Sequence, residues 1–466
     1  MSVRSSTNYN FNIFQYLYVK NKMRLHKTVR LATILIGTLL FTNCENTEAV
    51  INIPNGEMAL PNEEPTTNPE LSSEIKVYEA GLIDESLVLA IENGQDIAYL
   101  VNKQGQKLFT WNLQNKLGND FELLENGQAL GAFKVTDPPF SFGGFAGSTK
   151  IINPDSSIDW EYTLADDTYI THHDVELLPN GNILMMVWER IEAIVAQEAG
   201  VNTSVDIFPE KLIEVDRNSK EIVWEWRSWD HLVQDTNPNA LNFGVISEVP
   251  SRIDHNYNNP EELNGDIIHA NGIDYDPNKD IIYMSCNFYG EIWVIDHSTT
   301  IIESAGSSGG TYGKGGDLLY RFGNPETYQN MKGERLFFFN HCPTIIKSGD
   351  PGAGNILVYG NSGMDGLQQS TVYELKIPAD LNLTPSMDNE PNLIWSFTDE
   401  NLFNERISGA VRLPNGNTLI CEGDYGYWEV TNSGQIAWKY NPVGNFWRGY
   451  SYKYDFPGLK ALNINL

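Results

Sequence analysis

The chain has 466 residues, 41% of them hydrophobic, enough to bury a core in one large all-β domain or in about two or three ordinary ones. Its 61 Asp and Glu against 31 Lys and Arg give a net charge of −30, which repels phosphate backbones and anionic lipid surfaces. Nucleic acid is thereby excluded as an expected partner.

The first 44 residues contain no Asp or Glu but six basic side chains, Arg4, Lys20, Lys22, Arg24, Lys27 and Arg30, and the apolar stretch Leu31–Phe41 follows them. A basic run before an apolar stretch too short to span a bilayer is the pattern of an export signal, assigned to residues 1–43, with Met23 a candidate true start. The signal ends Leu40-Phe41-Thr42-Asn43-Cys44, a lipobox-like sequence that makes Cys44 the expected lipidation site and mature N-terminus. The expected location is therefore periplasmic or outer-membrane, with the lipid anchor as the only tie to a membrane. Residues 44–79 combine that anchor with a tether rich in Glu, Asn, Pro and Thr. Only Cys286, Cys342 and Cys421 follow Cys44, so the domain is not built on a disulfide framework.

From about residue 80 the pattern becomes short alternating strands with Asn-Gly, Pro-Asn-Gly and Ser-Gly turns. An apolar-Trp-x-aromatic strand recurs at Ile158–Tyr162, Ile222–Trp226, Leu393–Phe397 and Ile436–Tyr440, with a weaker copy at Phe109-Thr-Trp111. A second unit opens the repeats, clearest at Glu176–Leu184 and Arg412–Leu419, where Pro-Asn-Gly supplies a tight hairpin. Together the units predict an all-β fold, a six-bladed β-propeller of four-stranded antiparallel blades over residues 80–445. The blades fall near 82–113, 120–163, 172–228, 269–305, 341–398 and 408–441, and residues 446–466 read as a C-terminal tail. The repetition of the tryptophans assigns them to blade-to-blade packing. The Gly-rich run Gly306–Gly316 lacks the strand-then-helix context of a phosphate loop and reads as an inter-blade excursion.

Four of the eight histidines stand at blade openings: His172 and His173, His269, and His341. First strands line a propeller's channel, so these side chains are expected to converge at one mouth on blades three, four and five. Two chemistries suit such a cluster. Neutral imidazole is a nucleophile and proton carrier, and its neighbours can stabilise anionic oxygens. Three imidazoles also suit zinc or copper, although Asn271, on the same strand face as His269, favours anion recognition. His231, His255 and His297 are assigned structural or surface roles.

The ordered segments His172–Leu184, Asp266–Asp276, Glu291–Thr300, Gly316–Pro325 and Arg412–Gly423 resemble the bacterial arylsulfate sulfotransferase family over residues 80–445. The resemblance implies a six-bladed propeller that moves a sulfuryl group from a phenolic sulfate ester to a phenol acceptor, without a nucleotide donor. Neither cofactor nor metal is called for. It implies that His341 is the nucleophile forming a transient sulfohistidine. His173 and His269 would bind sulfuryl oxygens and assist proton transfer, with Asn271, Asn287, His172 and Arg321 as substrate-binding groups. The chain departs from the family where an arginine is expected within Ser285-Cys286-Asn287, Asn287 standing instead, and around His341, where Asn340-His-Cys-Pro343 replaces a more polar pattern. Arg321, Arg252 and Arg412 are the candidates to supply the missing charge. Two other readings stay open: a non-catalytic surface propeller that binds a sulfated or anionic ligand, and a metal-dependent hydrolase.

Overall fold

The computed structural model describes residues 70–361 and 368–464. The leader and Cys44 lie outside the described residues. Six antiparallel sheets of four strands, one of them with a fifth strand added, form a six-bladed β-propeller. Blade three shows how the sequence builds one. Its strands Tyr169–Leu177, Ile183–Glu189, Glu210–Val215 and Ile222–Arg227 run outward in order. Between the first two, Gly181 takes φ +87° and donates its N–H to the Leu178 carbonyl at 2.8 Å, which is the conformation the Pro-Asn-Gly turn requires. The innermost strands of the six blades, Phe446–Tyr452, Leu117–Leu123, Tyr169–Leu177, Ala270–Asp276, Asn340–Ile345 and Gly409–Arg412, contact one another in a closed ring around the channel. Among the described residues no helix is long and apolar enough to cross a membrane.

Three boundaries differ from the sequence reading. Phe446–Tyr452, assigned to the tail, is the inner strand of blade one and pairs antiparallel with Leu87–Glu92. Ile75–Tyr78, assigned to the tether, pairs with Ile436–Tyr440 as the fifth strand of blade six. Blade four does not end near residue 305: its outer strand is Tyr320–Phe322, so the Gly-rich run is an excursion within that blade, not between blades. In each case the misread segment lacks the Pro-Asn-Gly turn and the apolar-Trp-x-aromatic pattern that mark the other strands.

The recurrent tryptophan latches four of the six blades to the next. Its indole N–H donates from Trp160 to the Arg217 carbonyl (2.8 Å), from Trp224 to Thr299 Oγ1 (3.1 Å), from Trp395 to the Asn432 carbonyl (2.9 Å) and from Trp438 to the Lys103 carbonyl (2.7 Å). A large apolar ring with one donor at its edge fills the wedge between blades and satisfies a carbonyl or hydroxyl oxygen there.

Where the channel mouth opens, three inner strands bulge. The register against the second strand slips between Val175 and His172, between Gly272 and Ala270, and between Thr344 and His341. His173 and Cys342 take left-handed φ of 51° and 47° within their bulges, and His269 takes 52° just before its own, a conformation that costs a non-glycine residue about 1–2 kcal/mol. The bulges re-aim side chains into the mouth.

Candidate active site

His173 and His269 meet edge to face with ring centroids 5.0 Å apart, and the Trp447 ring lies 5.7 Å from both His173 and His341. The convergence expected of blades three, four and five is therefore present, with one shift of position. The left-handed site holds a histidine in blades three and four, whereas in blade five it holds Cys342 and His341 precedes it.

Each of the three imidazoles is held by Nδ1. His341 Nδ1 lies 2.6 Å from Asn361 Oδ1, and Asn361 Nδ2 donates to the Asn404 and Ile407 carbonyls at 2.9 Å each. Those two bonds fix the amide so that its oxygen faces His341, which makes His341 Nδ1 the protonated nitrogen and leaves Nε2 with a free lone pair. His269 Nδ1 lies 2.5 Å from Asp266 Oδ2. His173 Nδ1 lies 2.8 Å from His172 Nδ1, and His172 Nε2 lies 2.9 Å from Glu210 Oε2. Among the described residues none of the three Nε2 atoms has a hydrogen-bond partner.

Their electrostatics diverge. Burial pushes His341 down to about 3, although the Asn361 hydrogen bond favours its charged form. Burial also holds His172 and His173 well below the ordinary histidine value. For His269, burial opposes charge, but the Asp266 carboxylate and, at longer range, Glu210 outweigh it and raise the pKa. The site thus sets an imidazole that burial keeps neutral, His341, beside one whose charged form a carboxylate favours, His269.

The other expected substrate groups are placed differently. His172 lies behind His173, stacked on Trp188 at 3.9 Å, and both its ring nitrogens are engaged, by His173 and Glu210, so neither is left for a substrate. Asn271 and Asn287 both spend their amide N–H on the Asn340 carbonyl, at 2.8 and 3.0 Å, and Ser285 Oγ joins them at 3.2 Å. They brace the strand carrying His341, and Asn287 Nδ2 lies 3.5 Å from His341 Nδ1. Arg321 is on the outermost strand of blade four, locked to Glu291, Thr327 and the Arg252 carbonyl, and does not belong to the site. Arg252 and Arg412 are likewise tied to Asp317 and Glu374.

Several residues at the mouth carried no sequence signal of their own. Asp266, Asn361 and Glu210 anchor the histidines, and only Asp266, three residues before His269, stands in a recognisable motif. Arg448, beside Trp447, is buried in the channel and bonded to Asp120 (2.9 Å) and through two nitrogens to Asp174 (2.7 and 3.1 Å). Gly144 passes so close that a Cβ there would sit 1.9 Å from His173 Nε2. Next to it Phe145 carries the Lys134 ammonium 4.7 Å above its ring, and that charge weighs on His173. Among the described residues no three His, Cys, Asp or Glu side chains are grouped to hold a metal ion.

A family model described as Arylsulfotransferase (ASST) matches residues 85–446, which include every one of the mouth histidines. The chain belongs to the arylsulfotransferase family. Membership supports a sulfotransferase-like function on small-molecule aryl sulfates and phenols. No curated protein matches the chain significantly. Among solved structures, a Bacteroides caccae protein of unknown function shares 11% identity, covering 79% of this chain and 100% of its own at a TM-score of 0.46. A functionally unknown protein from Desulfotomaculum acetoxidans shares 9% identity, covering 78% and 98% at a TM-score of 0.39. Likenesses this low carry no weight for the function of this arylsulfotransferase-family chain.

Proposed function

We propose that this arylsulfotransferase-family protein transfers a sulfuryl group from an aryl sulfate to a phenol through a sulfohistidine at His341. The observation that carries the reading is the shared arrangement of His173, His269 and His341, each anchored at Nδ1 with Nε2 unpaired. His341 Nε2 attacks sulfur, the S–N bond forms as the S–O bond to the aryl group breaks, and the departing phenolate takes a proton from the neighbouring imidazoles. The acceptor phenol then loses its proton to the same groups as its oxygen displaces His341. Positioning and charge stabilisation carry most of such a transfer, and the covalent step divides it into two displacements. The positive charge that an arginine at position 287 would offer the sulfuryl oxygens is supplied by His269, whose pKa Asp266 raises against the pull of burial.

Incubation with para-nitrophenyl sulfate and a phenol gives ping-pong kinetics and a sulfated phenol, and mass spectrometry of the enzyme stopped without acceptor finds a sulfuryl adduct on His341. His341→Ala abolishes both. Binding of the ester with no turnover and no adduct would instead establish the non-catalytic propeller, the reading that Asn287 favours. Export and lipidation at Cys44 would put this chemistry outside the cytoplasm, and Cys44→Ala would then release the protein from the membrane fraction.

A further inference from the structure

Glu210, His172 and His173 form a buried line: carboxylate oxygen to Nε2 at 2.9 Å, then Nδ1 to Nδ1 at 2.8 Å. Two facing Nδ1 atoms at that separation share one proton, so the tautomers of the two rings are tied together. Glu210 and His172 are each 1% exposed, and the stacked Trp188 ring shields His172 from water. The other oxygen of Glu210 accepts the Ala270 N–H at 2.8 Å, which holds the carboxyl in place. We propose that Glu210 and His172 are a proton relay that switches His173 between acid and base without turning any ring; this rests on the sulfuryl-transfer reading above.

In the acid state Glu210 is protonated and donates to His172 Nε2, His172 Nδ1–H donates to His173 Nδ1, and His173 Nε2–H faces the substrate. When the phenolate oxygen takes that proton, the His172 proton moves onto His173 Nδ1 and the Glu210 proton onto His172 Nε2. One proton has left, the negative charge has moved to Glu210, and both rings remain neutral. The acceptor phenol drives the reverse shift: its O–H proton lands on His173 Nε2 and Glu210 is protonated again. Burial and the Asp266 charge raise Glu210 well above the usual carboxylate range, which favours the protonated carboxyl of the acid state, and burial keeps both rings from becoming cations. The charged and titratable groups facing this line are Asp266, His269, His341, Lys134 and the Cys286 thiol, which burial keeps neutral. Glu210 and His172 touch no substrate and act only through His173.

In Glu210→Gln the Ala270 N–H keeps the amide oxygen, the amide N–H faces His172, and His173 is trapped with its proton on Nε2. The variant is expected to form the sulfo-enzyme from para-nitrophenyl sulfate, whose leaving group needs little protonation, at a rate within a few-fold of the wild type. Turnover to a weakly acidic phenol, which needs the base, falls about 10²-fold or more. Nitrogen-15 NMR of the histidines in the wild type should show His173 passing from Nε2–H to bare Nε2 with rising pH while both rings stay neutral; in Glu210→Gln it stays Nε2–H. Equal losses in both half-reactions, no loss in either, or a His173 that titrates to imidazolium would overturn the relay. Absence of any sulfo-enzyme in the wild type would instead remove the sulfuryl-transfer reading, while the NMR titration still decides the proton line.

Discussion

His173 owes its position to a residue with no side chain. Gly144 has φ +81° and an added Cβ would lie 1.9 Å from His173 Nε2, whereas one at Gly143 would lie 3.7 Å from His269 Cε1, an ordinary contact. Gly144→Ala is therefore expected to lower kcat/KM by about 10²-fold through displacement of the ring, and Gly143→Ala to change it little; steady-state kinetics of the pair checks this. The pH profile follows from the divergent histidines. His341 stays neutral down to about 3, so the acid limb lies below the ordinary histidine value. His269 is raised by Asp266 against burial, so its charge, and activity with it, is lost only as pH rises through that raised value. His269→Gln should flatten the alkaline limb in a kcat/KM profile. The three histidines were legible in the sequence because each stands at the opening of a blade repeat. The roles of Asn271 and Asn287 were not, since the direction of each amide is set by the Asn340 carbonyl, more than fifty residues away in sequence.

Between blades three and four, His297 lies 3.0 Å from Glu214 and 2.7 Å from Asp280. Burial opposes its charge, but these two carboxylates raise its pKa above the ordinary value. A raised histidine contributes stability in full below its unfolded pKa, and that contribution fades as pH rises through the folded value. The Tm deficit of His297→Asn is thus expected to be largest at acidic pH and to shrink in alkaline buffer, as followed by thermal melts across pH. The tryptophan latch makes a parallel case. Trp438→Phe keeps the packing but leaves the Lys103 carbonyl without its donor, at a cost of about 1–3 kcal/mol measurable by denaturant unfolding. This latch is what the sequence repeat encoded, and it made the blade count readable. Blade four escaped because Tyr320–Phe322 carries no tryptophan and follows a Gly-rich detour. That same misplacement made Arg321 look available to substrate, since a sequence does not distinguish an outer strand from one lining the channel.

The ring closes with strands from both ends of the described domain: Phe446–Tyr452 completes blade one, and Ile75–Tyr78 extends blade six. A chain cut after residue 445 loses the inner strand of blade one, together with Trp447 against His173 and His341 and Arg448 against Asp120 and Asp174. It is expected to lack a cooperative melt and to form no sulfo-enzyme, where a chain cut after residue 464 keeps both. Six blades could be counted from turns and tryptophans, but closure could not, because its strand meets a partner more than 350 residues away and its Trp447 does not stand in the apolar-Trp-x-aromatic pattern of the other blades. Trp447 and Arg448 also follow every histidine in the chain, so they leave the ribosome after them. A nascent chain can hold all its imidazoles and still be inert: the reactive centre has a birth time, set by the arrival of the strand that shuts the ring.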